Sequence, residues 1–147
     1  LSMHSFNYKM TDVQAAIGLS QLDRFAGFLK RRAAIAACYA EALKGLPVSL
    51  PSAPYGGTHI FFRFILRPKA GSRPLADGVD DLLRRLEARG VQCRRPVYEP
   101  LHRLAKQSGC PTADAVHQDA VSVPIYPSLT DAEVTRVIDA LRAEFRA

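Results

Sequence analysis

The residues of this chain that could do chemistry by themselves are its histidines, cysteines and lysines, and their spacing forms no catalytic or metal-binding motif. The four histidines lie far apart, without an HExxH pattern or a close carboxylate companion, so no metal site is predicted. The sequence also has no glycine-rich phosphate loop and no GxSxG turn for a nucleophilic serine. Spacing alone therefore identifies a globular domain without a derivable active site.

Composition narrows the class of protein. Cys38, Cys93 and Cys110 are an odd number of widely spaced cysteines, which predicts a reducing, cytoplasmic setting. The formal charge is +6, but the basic residues are spread among 14 acidic ones, so nucleic acid is not a predicted partner. An anionic small substrate such as a nucleotide diphosphate suits the same charge. No run approaches the ~20 apolar residues of a membrane span, so no membrane partner is predicted either.

A long helix must come first. Thr11 and Gln14 form a capping-box pattern, in which each side chain bonds the other residue's backbone amide. Apolar residues then recur at helical spacing, which predicts a helix over residues 11–44 with a bend at Gly27 and a stop at Gly45.

The rest of the chain predicts a small sheet packed by helices, which is an α+β fold. Strands are predicted at residues 59–66, 91–97 and 121–127, the last at a sheet edge because Pro124 cannot donate to a ladder. Loops are predicted at 47–58 and 68–74, and helices at 77–89, 101–105, 112–120 and, from a second capping box, after Thr130.

Three stretches go further by resemblance. Residues 6–18 read FNYKMTDVQAAIG, residues 93–102 read CRRPVYEPLH, and residues 121–131 read VSVPIYPSLTD. They resemble the NYRMTDxQAAIG, RPxxxPLH and SLPxYPxLTxxE segments of the DegT/DnrJ/EryC1/StrS family of pyridoxal-phosphate (PLP) dependent sugar aminotransferases. The second segment is similar to that of the branch making perosamine-type amino sugars. Order and spacing also match, from residue 7 to residue 141.

The resemblance implies that residues 1–147 are the C-terminal small domain of a fold-type I enzyme. Residues 1–46 would form the long connecting helix region and residues 47–147 an α/β small domain. The large PLP-binding domain, with the lysine that forms the Schiff base, is expected to be absent from this chain. Residues 1–10 contain no apolar run, so a signal peptide is not expected there either. None of the five lysines matches that position, so no catalytic residue is predicted, and the chain alone is expected to be inactive.

Two residues are expected near the cofactor. By resemblance, Asn7 matches an asparagine that reaches the PLP phosphate of the neighbouring subunit, which implies a homodimer; the alternative is a turn residue before the helix. Lys9 stands where the family usually has arginine. It keeps the positive charge but loses the planar fork, so contact with a phosphate or pyrophosphate is its implied role.

Four residues are expected at the substrate, a nucleotide-linked keto sugar that receives an amino group from an amino-acid donor. Arg94 and Arg95 would contact the diphosphate, or else be solvated strand ends. Tyr98 and His102 lie in the motif that lines the sugar pocket, although His102 at a helix start could equally be a structural hydrogen-bonding residue.

A hypothesis of a different class stays open at this stage. The chain could be a free-standing, non-catalytic domain that binds a nucleotide sugar or a protein partner. The gene upstream of residue 1 distinguishes the two hypotheses, because only the enzyme requires a preceding large domain.

Overall fold

A computed structural model describes residues 8–53, 57–72, 75 and 77–146. The elements are α1 (Asp12–Ala42), β1 (Val48–Ser49), β2 (Phe64–Pro68), α2 (Val79–Ala88), α3 (Leu101–Leu104), α4 (Pro111–Asp119), β3 (Val121–Val123) and α5 (Asp131–Phe145). The three strands form an antiparallel sheet in the order β1-β2-β3. The predicted α+β class, with one long first helix and a small sheet, is confirmed.

Helix α1 divides into an exposed and a buried half. The capping box starts it as predicted, with the Thr11 amide donating to Gln14 Oε1 at 2.9 Å. The helix continues through Gly27 without interruption. Its C-terminal half buries Ile35, Ala36 and Tyr39. Large apolar side chains in its N-terminal half remain exposed: Val13, Ile17, Leu19, Leu22 and Phe25.

The first predicted strand, residues 59–66, was placed too early, since β2 begins at Phe64. Phe61 has a φ of 48°, in the left-handed region that bulky side chains rarely adopt and that no strand contains. Arg32 Nη1 also donates hydrogen bonds to the carbonyl oxygens of Phe61 at 2.9 Å and Phe62 at 3.1 Å. These carbonyls are bonded to a helix side chain instead of a neighbouring strand.

The predicted strand at residues 91–97 is also wrong, because only Arg94 pairs, in an isolated bridge with Ser122. Pro96, which has no amide proton, follows shortly after and favours the end of pairing there. The predicted loop at residues 47–58 instead contains the two-residue strand β1. The strand predicted at 121–127 is shorter than expected, since β3 ends before Pro124; it is the last strand in the order β1-β2-β3, and Ser122 also bridges Arg94 on its other side.

The hydrophobic core lies between the sheet, the C-terminal half of α1, α2 and α5. Tyr39 is completely buried, meets the Phe64 ring edge-to-face at 5.2 Å, and donates its hydroxyl to the Pro124 carbonyl at 2.8 Å. Burial raises the pKa of Tyr39, so its hydroxyl stays protonated. This residue joins α1 to the end of β3.

Ion pairs close the helical layer around the core. Glu144 of α5 is buried, and its two carboxylate oxygens each accept a 2.8 Å bond, from Arg85 and Arg89 of α2. At the other side of the sheet, Arg67 of β2 forms a two-pronged pair with Asp119 at 2.8 Å. None of the helices that the structure describes is long and apolar enough to cross a membrane.

Candidate functional site

Four of the predicted site residues lie on one segment, which leaves α2 and leads into α3. Arg94 is exposed and fixed through its backbone, since it exchanges hydrogen bonds of 3.1 and 2.8 Å with Ser122 of β3. Within the described part of the chain, the Arg94 side chain forms no hydrogen bond or ion pair. Its guanidinium is therefore available to an external anion.

Arg95, next in sequence, has its donors engaged inside the protein. Its Nε and Nη2 bond the two carboxylate oxygens of Asp80 in α2 at 3.1 and 3.0 Å, and its Nη1 donates to the His117 carbonyl of α4 at 2.6 Å. The hydrogen bonds from Arg95 lower the pKa of the Asp80 carboxyl, which keeps it ionised. Direct contact between Arg95 and a substrate diphosphate remains a prediction that would require these bonds to break.

The Tyr98 side chain points into solvent while its backbone is tethered. The side chain is 96% exposed. Its carbonyl accepts a 3.2 Å bond from His117 Nε2, so that ring nitrogen carries the proton. The phenol is thus presented at the surface from an anchored backbone.

His102 belongs to a charged cluster between α3 and α4. Its Nε2 donates to Asp114 Oδ1 at 3.1 Å, and Arg103 Nε donates to the same oxygen at 2.7 Å. The Arg103 bond lowers the pKa of the Asp114 carboxyl, and the His102 bond adds to that effect. Only 10% of the His102 side chain is exposed. This geometry favours the structural alternative for His102, and its contact with a sugar stays a prediction.

The two residues predicted near the cofactor lie at the start of α1. Asn7 falls outside the described residues, so its role stays a prediction. Lys9 is exposed just before the helix. Thr11 and Gln14 are occupied by the capping box, and Asp12 adds a negative charge in the first turn. Of the described side chains there, only Lys9 fits an anionic phosphate.

A groove lies beside the middle of α1, between that helix and two loops. Its volume is about 910 Å³, and its walls include Phe25, Phe28, Ile60 and Phe62. Arg31 and Arg32 anchor the loops: Arg31 Nη2 donates to Leu129 O, and Arg32 Nη1 to Ile125 O at 2.7 Å. The paired arginines in the sequence gave no indication of these partners.

The remaining histidine, cysteine and acidic side chains in the described ranges form no metal site. No three histidine, cysteine or acidic side chains there are grouped so as to hold a metal ion. Burial raises the pKa of the Cys93 thiol to about 12, so it stays protonated and unreactive.

Asp80, Asp114 and His117 bond the segment that carries four of the predicted site residues, and none of the three was predicted as a site residue from the sequence. The sequence offered one indication of these three residues. Each is a polar residue on a predicted helix near the RPxxxPLH-like segment, but its partner lies 11 to 22 residues away in the chain.

A family model identifies the class of protein to which this fold belongs. Residues 2–142 match the DegT/DnrJ/EryC1/StrS aminotransferase family, and the chain belongs to that family. Aminotransferases of this family depend on PLP. The predicted family and cofactor are confirmed.

Two curated relatives are similar to most of this chain. The chain is 34% identical over 143 residues to GDP-perosamine synthase from Caulobacter vibrioides, covering 92% of this chain and 38% of that enzyme. It is 27% identical to a UDP-N-acetyl-3-dehydro-alpha-D-glucosamine 3-aminotransferase from Acidithiobacillus ferrooxidans, covering 93% of this chain and 36% of the relative. The chain therefore spans less than two fifths of the length of these relatives.

Solved structures agree with the fold. DesV from S. venezuelae, solved in complex with a ketimine intermediate, superposes with a TM-score of 0.85 at 26% identity, covering 99% of this chain and 39% of DesV. The aminotransferase TlmJ from Streptoalloteichus hindustanus gives a TM-score of 0.83 at 28% identity, with the same two coverages. The predicted small-domain fold of a PLP-dependent sugar aminotransferase is confirmed.

Proposed function

We propose that this chain is the C-terminal part of an aminotransferase that moves an amino group from an amino acid to a nucleotide-linked keto sugar. Both curated relatives carry names of enzymes of nucleotide-sugar metabolism, one GDP-linked and one UDP-linked. The observation that carries the proposal is the segment at residues 94–104, which presents Arg94 and Tyr98 outward from an internally bonded base. A cation and a phenol suit a sugar diphosphate.

Arg94 and Tyr98 have distinct roles in this proposal. The Arg94 guanidinium offers planar N–H donors to phosphate oxygens, the geometry that arginine provides better than lysine. Tyr98 offers an aromatic face to a sugar or base and a hydroxyl that both donates and accepts. The backbone of each is held by hydrogen bonds, so binding orders their side chains but not this part of the backbone.

The cofactor would be held mostly by parts of the enzyme that this chain does not span. When bound, PLP supplies an electron sink for amino-group transfer. Lys9 and Asn7, before α1, would contribute contacts to its phosphate across a homodimer. The isolated chain would then bind cofactor weakly and lack turnover, since none of its lysines matches the position of the Schiff-base lysine in the family.

The test uses the full-length protein with PLP, a panel of amino-acid donors, and GDP- and UDP-linked keto sugars. We expect formation of an aminated nucleotide sugar, detected by mass spectrometry. Arg94→Ala should raise KM for the nucleotide sugar about tenfold, the loss of one charge-assisted bond, while Arg146→Ala, an exposed control, should not. Nucleotide-sugar binding without turnover by the full-length protein would instead support the non-catalytic binding domain.

A further inference from the structure

The segment at residues 97–104 exposes most of its large apolar side chains. Tyr98, Leu101 and Leu104 are exposed by 96%, 81% and 64%, whereas only 10% of the His102 side chain is exposed. Pro100 is the buried apolar residue of this segment. Globular domains normally bury large apolar side chains, so beyond Pro100 hydrophobic packing does not hold this segment in place.

Local helix stability does not hold it either. Helix α3 has four residues, no side-chain cap and no buried residue. A single isolated turn is unstable in water because nucleation fixes several dihedral angles for one hydrogen bond. Beyond the buried Pro100, the position of this segment therefore depends on its side-chain and backbone bonds to neighbouring helices.

Those bonds lead to α4 and α2. Asp114 accepts hydrogen bonds from His102 and Arg103 on one carboxylate oxygen. His117, about one helical turn further along α4, donates to the Tyr98 carbonyl and accepts from Arg95 through its own carbonyl. Asp80 of α2 holds the other side of the Arg95 guanidinium. Every tether ends on a regular helix.

We infer that Asp80, Asp114 and His117 are positioning residues for substrate binding. Arg95 and His102 bond these residues and do not themselves contact substrate. This inference rests on the proposed function, since it concerns the same nucleotide-sugar site. All three guanidinium nitrogens of Arg95 donate hydrogen bonds, to the Asp80 carboxylate and the His117 carbonyl. The Nε2 of His102 is bonded to Asp114. Of the four predicted substrate residues, Arg94 and Tyr98 contact the ligand.

The two contact residues have separate supports, which gives the inference a specific consequence. Arg94 is held by backbone pairing to β3, whereas Tyr98 is held by His117 of α4. Loosening α4 contacts should therefore displace Tyr98 and leave Arg94 in place. Sugar discrimination should weaken while diphosphate recognition is retained.

Steady-state kinetics of the full-length protein test this. Asp114→Ala and His117→Ala should each raise KM for the nucleotide sugar about five- to tenfold, with kcat and the KM of the amino-acid donor within about twofold of wild type. The KM for a nucleotide sugar is the sensitive readout because a generally damaged fold would alter both substrates. Asp139→Ala, an exposed aspartate of α5, is the matched control and should change neither constant.

Conservative variants separate positioning from general stability. His117→Gln keeps an N–H donor near the position of Nε2, and Asp114→Glu keeps the carboxylate. Both should recover most of the lost affinity. Equal losses in the alanine and conservative variants, accompanied by a matching fall in melting temperature, would overturn the inference.

Hydrogen exchange gives a measurement independent of turnover. The amides of residues 101–105 should exchange faster in Asp114→Ala than in Asp139→Ala, since α3 loses its anchor. Unchanged exchange would refute the tether itself. If Arg94→Ala and Tyr98→Ala leave nucleotide-sugar binding unaltered, the proposed function fails at this site; if they weaken it and Asp114→Ala does not, only the positioning inference fails.

Discussion

Replacing Glu144 with glutamine should destabilise the contact between α2 and α5. The carboxylate is 8% exposed, and each oxygen accepts a 2.8 Å bond from an arginine. Breaking a buried pair costs about 3–5 kcal/mol, but Arg85 and Arg89 are 34% and 48% exposed and can regain water. Arg85 also keeps its contact with Asp81. We therefore expect a loss of about 2 kcal/mol, or roughly 6 °C in Tm.

The dependence on pH has a defined sign. Burial alone would raise the pKa of Glu144, but the bonds and charges of Arg85 and Arg89 outweigh it and leave the pKa below the ordinary value of 4.5. A lowered folded-state pKa contributes stability above the unfolded-state pKa, and that stability is lost as pH falls through the folded-state pKa. The deficit of the glutamine variant should thus be full at pH 7 and shrink at pH values below 4.5.

Urea denaturation of wild type, Glu144→Gln and Glu87→Gln measures the effect at several pH values. Glu87 is an exposed glutamate on α2, and its replacement should change the free energy of unfolding by less than about 0.5 kcal/mol. A deficit for Glu144→Gln that is absent at pH 7, or that grows as the pH falls, would refute the reasoning.

Three further predictions follow from the packing and the family. Tyr39→Phe removes the 2.8 Å bond to the Pro124 carbonyl and should cost about 1–2 kcal/mol in urea denaturation, with Tyr126→Phe as an exposed control. The exposed apolar side chains in the N-terminal half of α1 should make the isolated chain self-associate. A strictly monomeric species in light scattering at high concentration would contradict this. The isolated chain should retain no PLP absorbance after gel filtration and show no transaminase activity; measurable turnover would disprove this.

Elements specified by neighbouring residues were predictable from the sequence. Both capping boxes depend on residues three apart, so Thr11 and Thr130 revealed the starts of α1 and α5. The helix predicted at residues 77–89 corresponds to α2, which is followed by Gly90 with a φ of 79°, a conformation that glycine adopts at little cost. The family resemblance was equally local, since it rests on three short motifs, each an uninterrupted stretch of sequence.

Only the tertiary structure decided where β2 begins and which polar side chains meet. The run at residues 59–66 has strand-forming composition throughout, yet Arg32 from a distant helix bonds the carbonyls of Phe61 and Phe62 and delays the strand. Arg94 and Arg95 are identical in type and adjacent, but Asp80 and His117 engage only the second. Propensity acts over a few residues, whereas these bonds require side chains brought together by packing. The sequence therefore determined the family and the helices, and the packing determined where β2 begins and which polar side chains bond one another.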